Sequence, residues 1–180
     1  MNHKILSDQR YDEWKDKSKS ENTSAIREGG KVKYIISNKT LAITSIESNY
    51  YRTKIYEEDD IIYSKESPLT IIENSCLHYG SSLQGRKDAS KHILKSNSKL
   101  PITITPHHKL FILPTKSHRN KECVWFSYYH VEDYIKIEDR LAVLLSNYNV
   151  MNINISFNQF DMQMKRTSQL IAYYFKLHRD

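Results

Sequence analysis

Residues 79–87 have side chains and a spacing suited to binding a phosphate group. Two glycines lie five positions apart, two serines follow the first glycine, and a basic pair follows the second. Glycine lets backbone N–H groups approach an anion closely, serine hydroxyls donate hydrogen bonds, and arginine and lysine supply positive charge. An ordinary glycine-containing turn with a solvated basic end explains the same residues equally well. The candidate residues are Gly80, Ser81, Ser82, Gly85, Arg86 and Lys87.

A second basic segment, residues 115–121, has the sequence Thr-Lys-Ser-His-Arg-Asn-Lys and lies between two predicted strands. Arginine, lysine, asparagine and histidine are the residue types that enter a narrow, A·T-rich minor groove of duplex DNA. The same types are common in solvated loops, so the composition of the segment fits both interpretations. The candidate residues here are Lys116, His118, Arg119, Asn120 and Lys121.

The basic residues of the chain are concentrated in one stretch, residues 86–121. It contains nine lysines and arginines and one acidic residue, Asp88, for a formal charge of +8, whereas the whole chain carries +6. Lys91 belongs to this stretch and is a further candidate residue. Such a patch attracts a polyanion, most commonly nucleic acid. A lysine-rich surface without any partner is the alternative that composition leaves open.

Cysteines and histidines raise the alternatives of a metal site or a covalent nucleophile. No Cys-x-x-Cys or His-x-x-x-His pair occurs, so the spacing does not favour a structural zinc ion. Cys76 could pair with His78 or His130 as a thiolate–imidazole nucleophile, but a small buried thiol explains Cys76 more simply. The chain also lacks a Gly-x-Ser-x-Gly elbow and a Walker loop. We therefore predict no metal, no cofactor and no enzymatic activity.

Length and composition predict one cytoplasmic domain. The chain has 180 residues, 39% of them hydrophobic, which is enough to form a core, and its two cysteines cannot form a disulfide framework. No run approaches the ~18 apolar residues of a membrane span. Residues 1–24 lack the apolar region of a secretory signal. We expect no membrane partner.

The elements that must position the basic segments begin after a polar N-terminal arm. Residues 1–30 are rich in charge and poor in large apolar side chains, and residues 15–24 contain nothing to bury. We predict a flexible arm over residues 1–30 and a single domain over residues 31–180.

Short β-rich runs bounded by Asn, Ser, Asp or Pro follow one another through most of the domain. The last two flank Ser-Asn-Tyr-Asn at residues 146–149, which predicts a hairpin. The aromatic run at residues 124–131 could stack nucleic-acid bases, but packing in the core is favoured because alternation buries about half of it. The predicted strands are residues 33–36, 41–46, 54–56, 61–63, 69–72, 100–106, 110–113, 124–131, 141–145 and 150–155.

The pattern changes to a helical period over residues 158–177. Phe160, Met164, Thr167 and Ile171 recur at a spacing of three or four residues. Other apolar residues extend past this face, which predicts that part of the helix, or an exposed strand edge, forms a dimer interface. The predicted class is α+β, with about eight to ten short, predominantly antiparallel strands and a C-terminal amphipathic helix.

Several blocks of residues occur in an order that resembles a known family. Ser75-Cys76 is followed by an aromatic residue with Gly-Ser-Ser at residues 79–82 and by Gly-Arg-Lys at residues 85–87. Further blocks are Pro101-Ile102, Pro106, Phe111, Pro114-Thr115, Trp125, His130-Val131 and residues 155–160. This order and spacing resemble the ComK family of competence transcription factors across residues 33–175, most densely from residue 71 to residue 131.

The resemblance implies a bacterial transcriptional activator of DNA-uptake genes. Family members bind paired A-rich/T-rich boxes through the minor groove, as pairs of dimers, and bend the DNA. The resemblance therefore favours both basic segments as DNA-binding sites. It implies promoter DNA, a second copy of the chain and RNA polymerase as partners, in the nucleoid region of the cytoplasm. An RNA-binding or protein-interaction module that uses the same basic residues is the alternative.

The chain departs from the family pattern at both ends. Well-known members continue past the late helix into a tail with an adaptor-recognition motif for regulated proteolysis, whereas this sequence stops at Asp180. We therefore do not expect adaptor-mediated proteolysis. The N-terminal arm has no clear counterpart in the family. Both departures would fit a diverged paralogue.

Overall fold

The chain forms ten strands and four α-helices in the residues that the computed structural model describes, namely 9–15, 25–28 and 33–177. The strands are β1 (Ala25–Glu28), β2 (Thr40–Ser45), β3 (Thr53–Glu57), β4 (Asp60–Ser64), β5 (Ile102–Thr105), β6 (Leu110–Pro114), β7 (Val124–Ser127), β8 (Val131–Ile137), β9 (Arg140–Leu145) and β10 (Val150–Ile153). The helices are α1 (residues 9–15), α2 (Pro68–His78), α3 (Leu83–Leu94) and α4 (Phe157–Leu177), and Tyr128–His130 form a short 3-10 helix. The predicted α+β class is confirmed.

The strands form two sheets that are antiparallel except at one edge. The larger sheet has the order β1-β4-β3-β2-β7-β6-β5, in which β1 pairs in parallel with β4. The smaller sheet has the order β10-β9-β8. Leu144 of β9 pairs with Val150 of β10 across the turn at residues 146–149, which confirms the predicted hairpin.

The larger sheet is covered on both faces, as the alternation along β7 shows. Trp125 belongs to a core with residues of α2 and α3, whereas Val124 and Phe126 face the smaller sheet and the start of α4. Phe126 meets Phe160 of α4 edge to face, with ring centroids 5.6 Å apart. Trp125 and Phe126 are therefore core residues, as the favoured interpretation of the aromatic run predicted.

The prediction of a strand over residues 69–72 is wrong, because these residues belong to α2. The Ser67 hydroxyl caps the helix by accepting a hydrogen bond from the Thr70 amide at 3.2 Å, and Pro68 occupies the first turn. The buried side chains of α2 then recur at helical spacing. A run of four apolar residues cannot distinguish a strand from one turn of a buried helix, and here the cap decides.

Two other strand predictions need correction. Residues 33–36 have no regular secondary structure, and the Ile36 amide donates to the Ser75 hydroxyl of α2 at 2.9 Å instead of joining a sheet. The single strand predicted over residues 124–131 ends at Ser127, and after the 3-10 turn a separate strand, β8, begins the smaller sheet. The polar residues of β8 hid its pattern, because one face of that sheet is only partly buried.

Part of the predicted N-terminal arm packs on the domain. Trp14 of α1 is buried against Ile135 and Leu144 on the outer face of the smaller sheet, and Arg10 forms an ion pair with Asp133. Residues 1–8, 16–24 and 29–30, which make up most of the arm predicted to be flexible, lie outside the described residues. The division of the chain at residue 30 stays a prediction.

Helix α4 confirms the predicted C-terminal helix and fixes the end of β6. The Gln163 side-chain amide donates to the carbonyls of Lys99 at 2.8 Å and of Pro114 at 2.7 Å. Because Pro114 ends β6, α4 anchors the point where the second basic segment begins. Among the described helices, none combines the length and hydropathy of a membrane-spanning segment.

Candidate nucleic-acid interface

The first basic segment is a tight turn followed by the start of α3. Gly80 closes α2 with a φ of +78°, a left-handed conformation that favours glycine. The Ser82 hydroxyl accepts a hydrogen bond from the Gly85 amide at 3.0 Å and so caps α3. Arg86 and Lys87 therefore project from a helix. Whether these residues contact DNA stays a prediction.

Helix α3 carries a row of lysines that the loop interpretation missed. Lys87 and Lys91 are four residues apart, which places them on one face of the helix, and Lys95 follows immediately after its last residue, Leu94. Lys91 and Lys95 are exposed, and Lys87 is half-buried. The only acidic residue of α3, Asp88, accepts a hydrogen bond from a side chain one turn earlier. The sequence signals for this helix were the capping serine at position 82 and the four-residue spacing of the lysines.

Arg86 faces the packing between α2 and α3 as well as solvent. It is half-buried, and its Nε atom is buried without a hydrogen-bond partner in the part of the chain that the structure describes. Burial raises the pKa of the Cys76 thiol to about 11, and the nearby charges of Arg86 and Lys87 partly offset that effect. Cys76 is therefore a protonated, buried thiol at neutral pH, which disfavours the thiolate–imidazole alternative.

The second basic segment lies in the β6–β7 loop, residues 115–123, whose backbone is held by its own hydrogen bonds. The Thr115 amide donates to the Val124 carbonyl, and the Val124 amide donates back to the Thr115 hydroxyl, both at 2.9 Å. Within the loop, the Asn120 amide donates to the Ser117 carbonyl at 2.8 Å. The loop therefore presents its polar side chains from a well-defined backbone.

Two lysines of the β6–β7 loop are paired with carboxylates. Lys116 forms an ion pair with Glu122 inside the loop. Lys121 reaches Glu47 in the loop between β2 and β3, at 3.3 Å, and both side chains are more than four-fifths exposed, at 83% and 85%. Ion pairs this exposed contribute little to stability. A phosphate group could therefore replace the Glu47 carboxylate at small cost.

The environment of His118 shows that the two basic segments meet. His118 lies at the exposed tip of the β6–β7 loop. Its pKa is lowered by partial desolvation and by the positive charges of Lys87 and Arg119. Lys87 is on α3, so the start of α3 and the tip of the loop are neighbours. We refer to α3 and residues 115–121 together as the basic surface.

The cysteines and histidines do not form a metal site in the described residues, where no group of three or more His, Cys, Asp or Glu side chains is placed to hold an ion. Cys76 and Cys123 are free and buried in the same core. Burial is the main influence that raises the pKa of both thiols. Both cysteines therefore serve as small core residues.

Comparison with known proteins bears on the whole domain. The model of the ComK protein family matches residues 31–178 of this chain. The Competence transcription factor of Bacillus subtilis (strain 168) is 34% identical over 139 residues, which cover 76% of this chain and 72% of that protein. No solved structure matches the chain. The family match includes α3, the β6–β7 loop and α4, and the chain therefore belongs to the ComK family.

Proposed function

We propose that this chain is a transcriptional regulator of competence that binds duplex DNA with its basic surface. The similar Bacillus subtilis protein is named a competence transcription factor, which supports the regulatory role. ComK-family proteins are transcription factors and not enzymes. The basic surface is the part of the described chain whose charge suits a nucleic-acid partner.

The charge distribution carries the proposal: residues 86–121 have a formal charge of +8, and Lys87 of α3 and Arg119 of the β6–β7 loop both act on His118. Like charges on two different elements repel one another, and that repulsion destabilises a surface that has no anionic partner. A run of phosphates relieves the repulsion. Lys87 and Arg119 are 32 positions apart in the sequence, and the fold brings both charges to bear on one histidine.

The side chains suit different parts of a duplex. Arg119, at the exposed tip of the β6–β7 loop, has the reach to enter a minor groove, and a narrow A·T-rich groove favours a guanidinium because it is less strongly hydrated than an ammonium. Arg86 is the second arginine assigned to the groove. Lys91, Lys116 and Lys121 would contact phosphates on either side.

Assembly into dimers would use part of α4. Tyr173, Phe175 and Leu177 near its end are 39%, 50% and 57% exposed, which is unusual for three large apolar side chains within five residues. We assign this end of α4 to contact with a second copy of the chain, so that paired boxes in DNA meet paired basic surfaces. Contact with RNA polymerase in the nucleoid belongs to the same proposal.

Binding titrations at fixed salt test the proposed function. We expect tighter binding to A/T-box duplexes than to G·C-rich duplexes, and single-stranded RNA should compete poorly. If each subunit contacts about four phosphates, log K should fall with log salt with a slope of about −3.6 per subunit. A slope near zero would contradict electrostatic binding. A preference for single-stranded RNA would instead support the RNA-binding alternative.

A further inference from the structure

The loop between β2 and β3, residues 46–52, lies at the same end of the larger sheet as the β6–β7 loop. Strands β2 and β7 are antiparallel neighbours, and Thr44, near the end of β2, pairs with Val124 at the start of β7. The ion pair between Glu47 and Lys121 links the two loops directly. The β2–β3 loop therefore continues the basic surface at its edge.

Tyr50 at the tip of this loop is exposed but held in place. Its side chain is 66% exposed, the highest value among the large apolar side chains that the structure describes. The Ser48 hydroxyl accepts hydrogen bonds from the amides of Tyr50 at 3.1 Å and Tyr51 at 3.3 Å. The Tyr51 ring contacts Tyr50 on one side, with centroids 5.3 Å apart, and Tyr63 on the other, at 5.6 Å. The ring of Tyr50 is thus pre-positioned, which lowers the entropy lost when a partner packs on it.

The surroundings of Tyr50 are positively charged. The Lys65 ammonium lies 4.2 Å from the centre of the Tyr50 ring, and Arg52 is exposed in the same loop. Glu47 is the only acidic residue of the loop, and Lys121 neutralises it. An exposed ring among cations matches a partner that combines flat or apolar surfaces with negative charge.

We propose that the β2–β3 loop is a further DNA-contacting element, in which the Tyr50 ring packs against the sugars and base edges of the duplex held by the basic surface. The inference deepens the proposed function and depends on it. Aromatic and apolar side chains beside basic grooves make this kind of contact, by stacking or by wedging against base steps. Lys65 and Arg52 would neutralise the flanking phosphates.

Tyr50→Ala tests this inference against a matched control, Tyr148→Ala. Tyr148 is also an exposed tyrosine in a strand-connecting turn, at 42%. Its turn lies at the other end of β3, where the Asn147 side chain donates to the Glu58 carbonyl at 3.1 Å. We expect Tyr50→Ala to bind an A/T-box duplex about 5- to 30-fold more weakly, with the slope of log K against log salt unchanged because no charge is lost. Tyr148→Ala should bind within about twofold of the unmodified protein.

Two further variants separate ring packing from a structural role. Tyr50→Phe should keep near-normal affinity, and Tyr50→Trp, with a larger ring, should bind equally or more tightly. Normal binding by Tyr50→Ala, or an equal loss in Tyr50→Phe, would overturn the inference. A loss in Tyr50→Trp that accompanies a lower melting temperature would assign Tyr50 to the fold instead. If the unmodified protein does not prefer A/T duplexes, the proposed function fails; if Arg119→Ala binds weakly while Tyr50→Ala binds normally, only this inference fails.

Discussion

Helix α3 and the β6–β7 loop carry similar positive charge by different means. In α3 the lysines lie on one face of a capped helix with a single acidic residue, Asp88. In the loop, Lys116 and Lys121 are already paired with carboxylates, and Arg119 is left without an ion pair within the described residues. The loop backbone is held by hydrogen bonds between its own residues, whereas α3 is capped by Ser82 and packs on the domain through the buried Leu83 and Ser90.

The difference suggests a division of labour. Lysines that have no carboxylate partner release bound counterions as soon as they meet phosphates, so α3 should supply most of the salt-dependent attraction. Paired lysines must exchange one anion for another, and their net gain is smaller. The loop should therefore contribute less to general affinity and more to discrimination, through the single arginine at its tip.

The largest expected effect is the loss of A·T preference in Arg119→Ala. We expect binding to A/T-box duplexes to weaken by about 1–3 kcal/mol while binding to G·C-rich duplexes changes much less. Because Arg119 is exposed, the melting temperature of the Arg119→Ala protein should equal that of the unmodified protein. Titrations against both duplexes, together with thermal melts, check this. An equal loss on both duplexes would make Arg119 an ordinary phosphate contact and remove the contrast with α3.

Arg86→Ala extends the test to the half-buried arginine of α3. If Arg86 contacts the groove, Arg86→Ala should bind A/T-box duplexes more weakly by about 1–3 kcal/mol, bind G·C-rich duplexes with little change, and keep an unchanged melting temperature. A fall in affinity together with a fall in melting temperature would assign Arg86 to the α2–α3 packing and contradict the predicted contact.

The next prediction compares Ser82, which caps α3, with the neighbouring Ser81, which does not. In Ser82→Ala the Gly85 amide loses its acceptor, and we expect the free energy of unfolding to drop by about 1 kcal/mol. Affinity for DNA should fall as well, because the first turn of α3 carries Arg86 and Lys87. Ser81→Ala is the control, since the Ser81 hydroxyl makes only a long, 3.5 Å contact with the Ser82 carbonyl. Equal free energies of unfolding for Ser82→Ala and Ser81→Ala, measured with denaturant, would show that the Ser82 cap does not stabilise α3.

Local patterns predicted the elements that have strong local signals. The period of three to four residues predicted α4 within one residue at its start, and two apolar runs around an asparagine-rich turn predicted the β9–β10 hairpin. α2 was misassigned because its apolar run is as short as a strand. α3 was missed because Gly85 lowers its helix propensity and its many polar residues leave it without a clear apolar face, so that its cap and the four-residue spacing of its lysines were the signals available.

The sequence showed the excess of positive charge in the basic surface but did not show which residues of that surface lie close together in the fold. Lys87 and His118 are thirty-one residues apart in the sequence, and only the packing of α3 beside the larger sheet brings them together. The carboxylate partners of the loop lysines were also hidden, because Glu47 belongs to another loop. Tyr50 had no periodic signal, since an exposed aromatic side chain follows no buried face.

A smaller effect compares one lysine from each half of the basic surface. Lys91→Ala should reduce the slope of log K against log salt by about one unit and weaken binding to all duplexes alike. Lys121→Ala should reduce the slope less, because Glu47 already neutralises this lysine in the free protein. Glu47→Gln is the complementary variant, and it should strengthen binding slightly. Equal slopes for the two lysine variants would show that the ion pair does not persist in solution.

The smallest expected effect is a pH dependence from His118, the residue where the two halves meet. In the free protein, partial desolvation and the charges of Lys87 and Arg119 lower its pKa, so the imidazole is neutral at pH 7. Phosphates beside it would offset those charges and raise the pKa in the complex. Binding then takes up a proton, and affinity should increase as the pH falls through the interval between the two pKa values, below and around the ordinary value for histidine, about 6.5.

We therefore expect the affinity of the unmodified protein for an A/T-box duplex to rise about two- to threefold more than that of His118→Gln between about pH 7.5 and about pH 6. His108→Gln is the control, because His108 is exposed in the turn between β5 and β6, at the opposite end of β6 from the β6–β7 loop, and its loss should leave the pH dependence close to that of the unmodified protein. Unfolding at low pH would lower the affinity, which is the opposite of the expected increase. A lowered pKa in the folded state means that protonation of His118 weakens folding, so stability declines as the pH falls and cannot imitate tighter binding. Parallel pH profiles for the unmodified protein and His118→Gln would mean that no phosphate approaches this junction, and that one duplex does not engage α3 and the loop together.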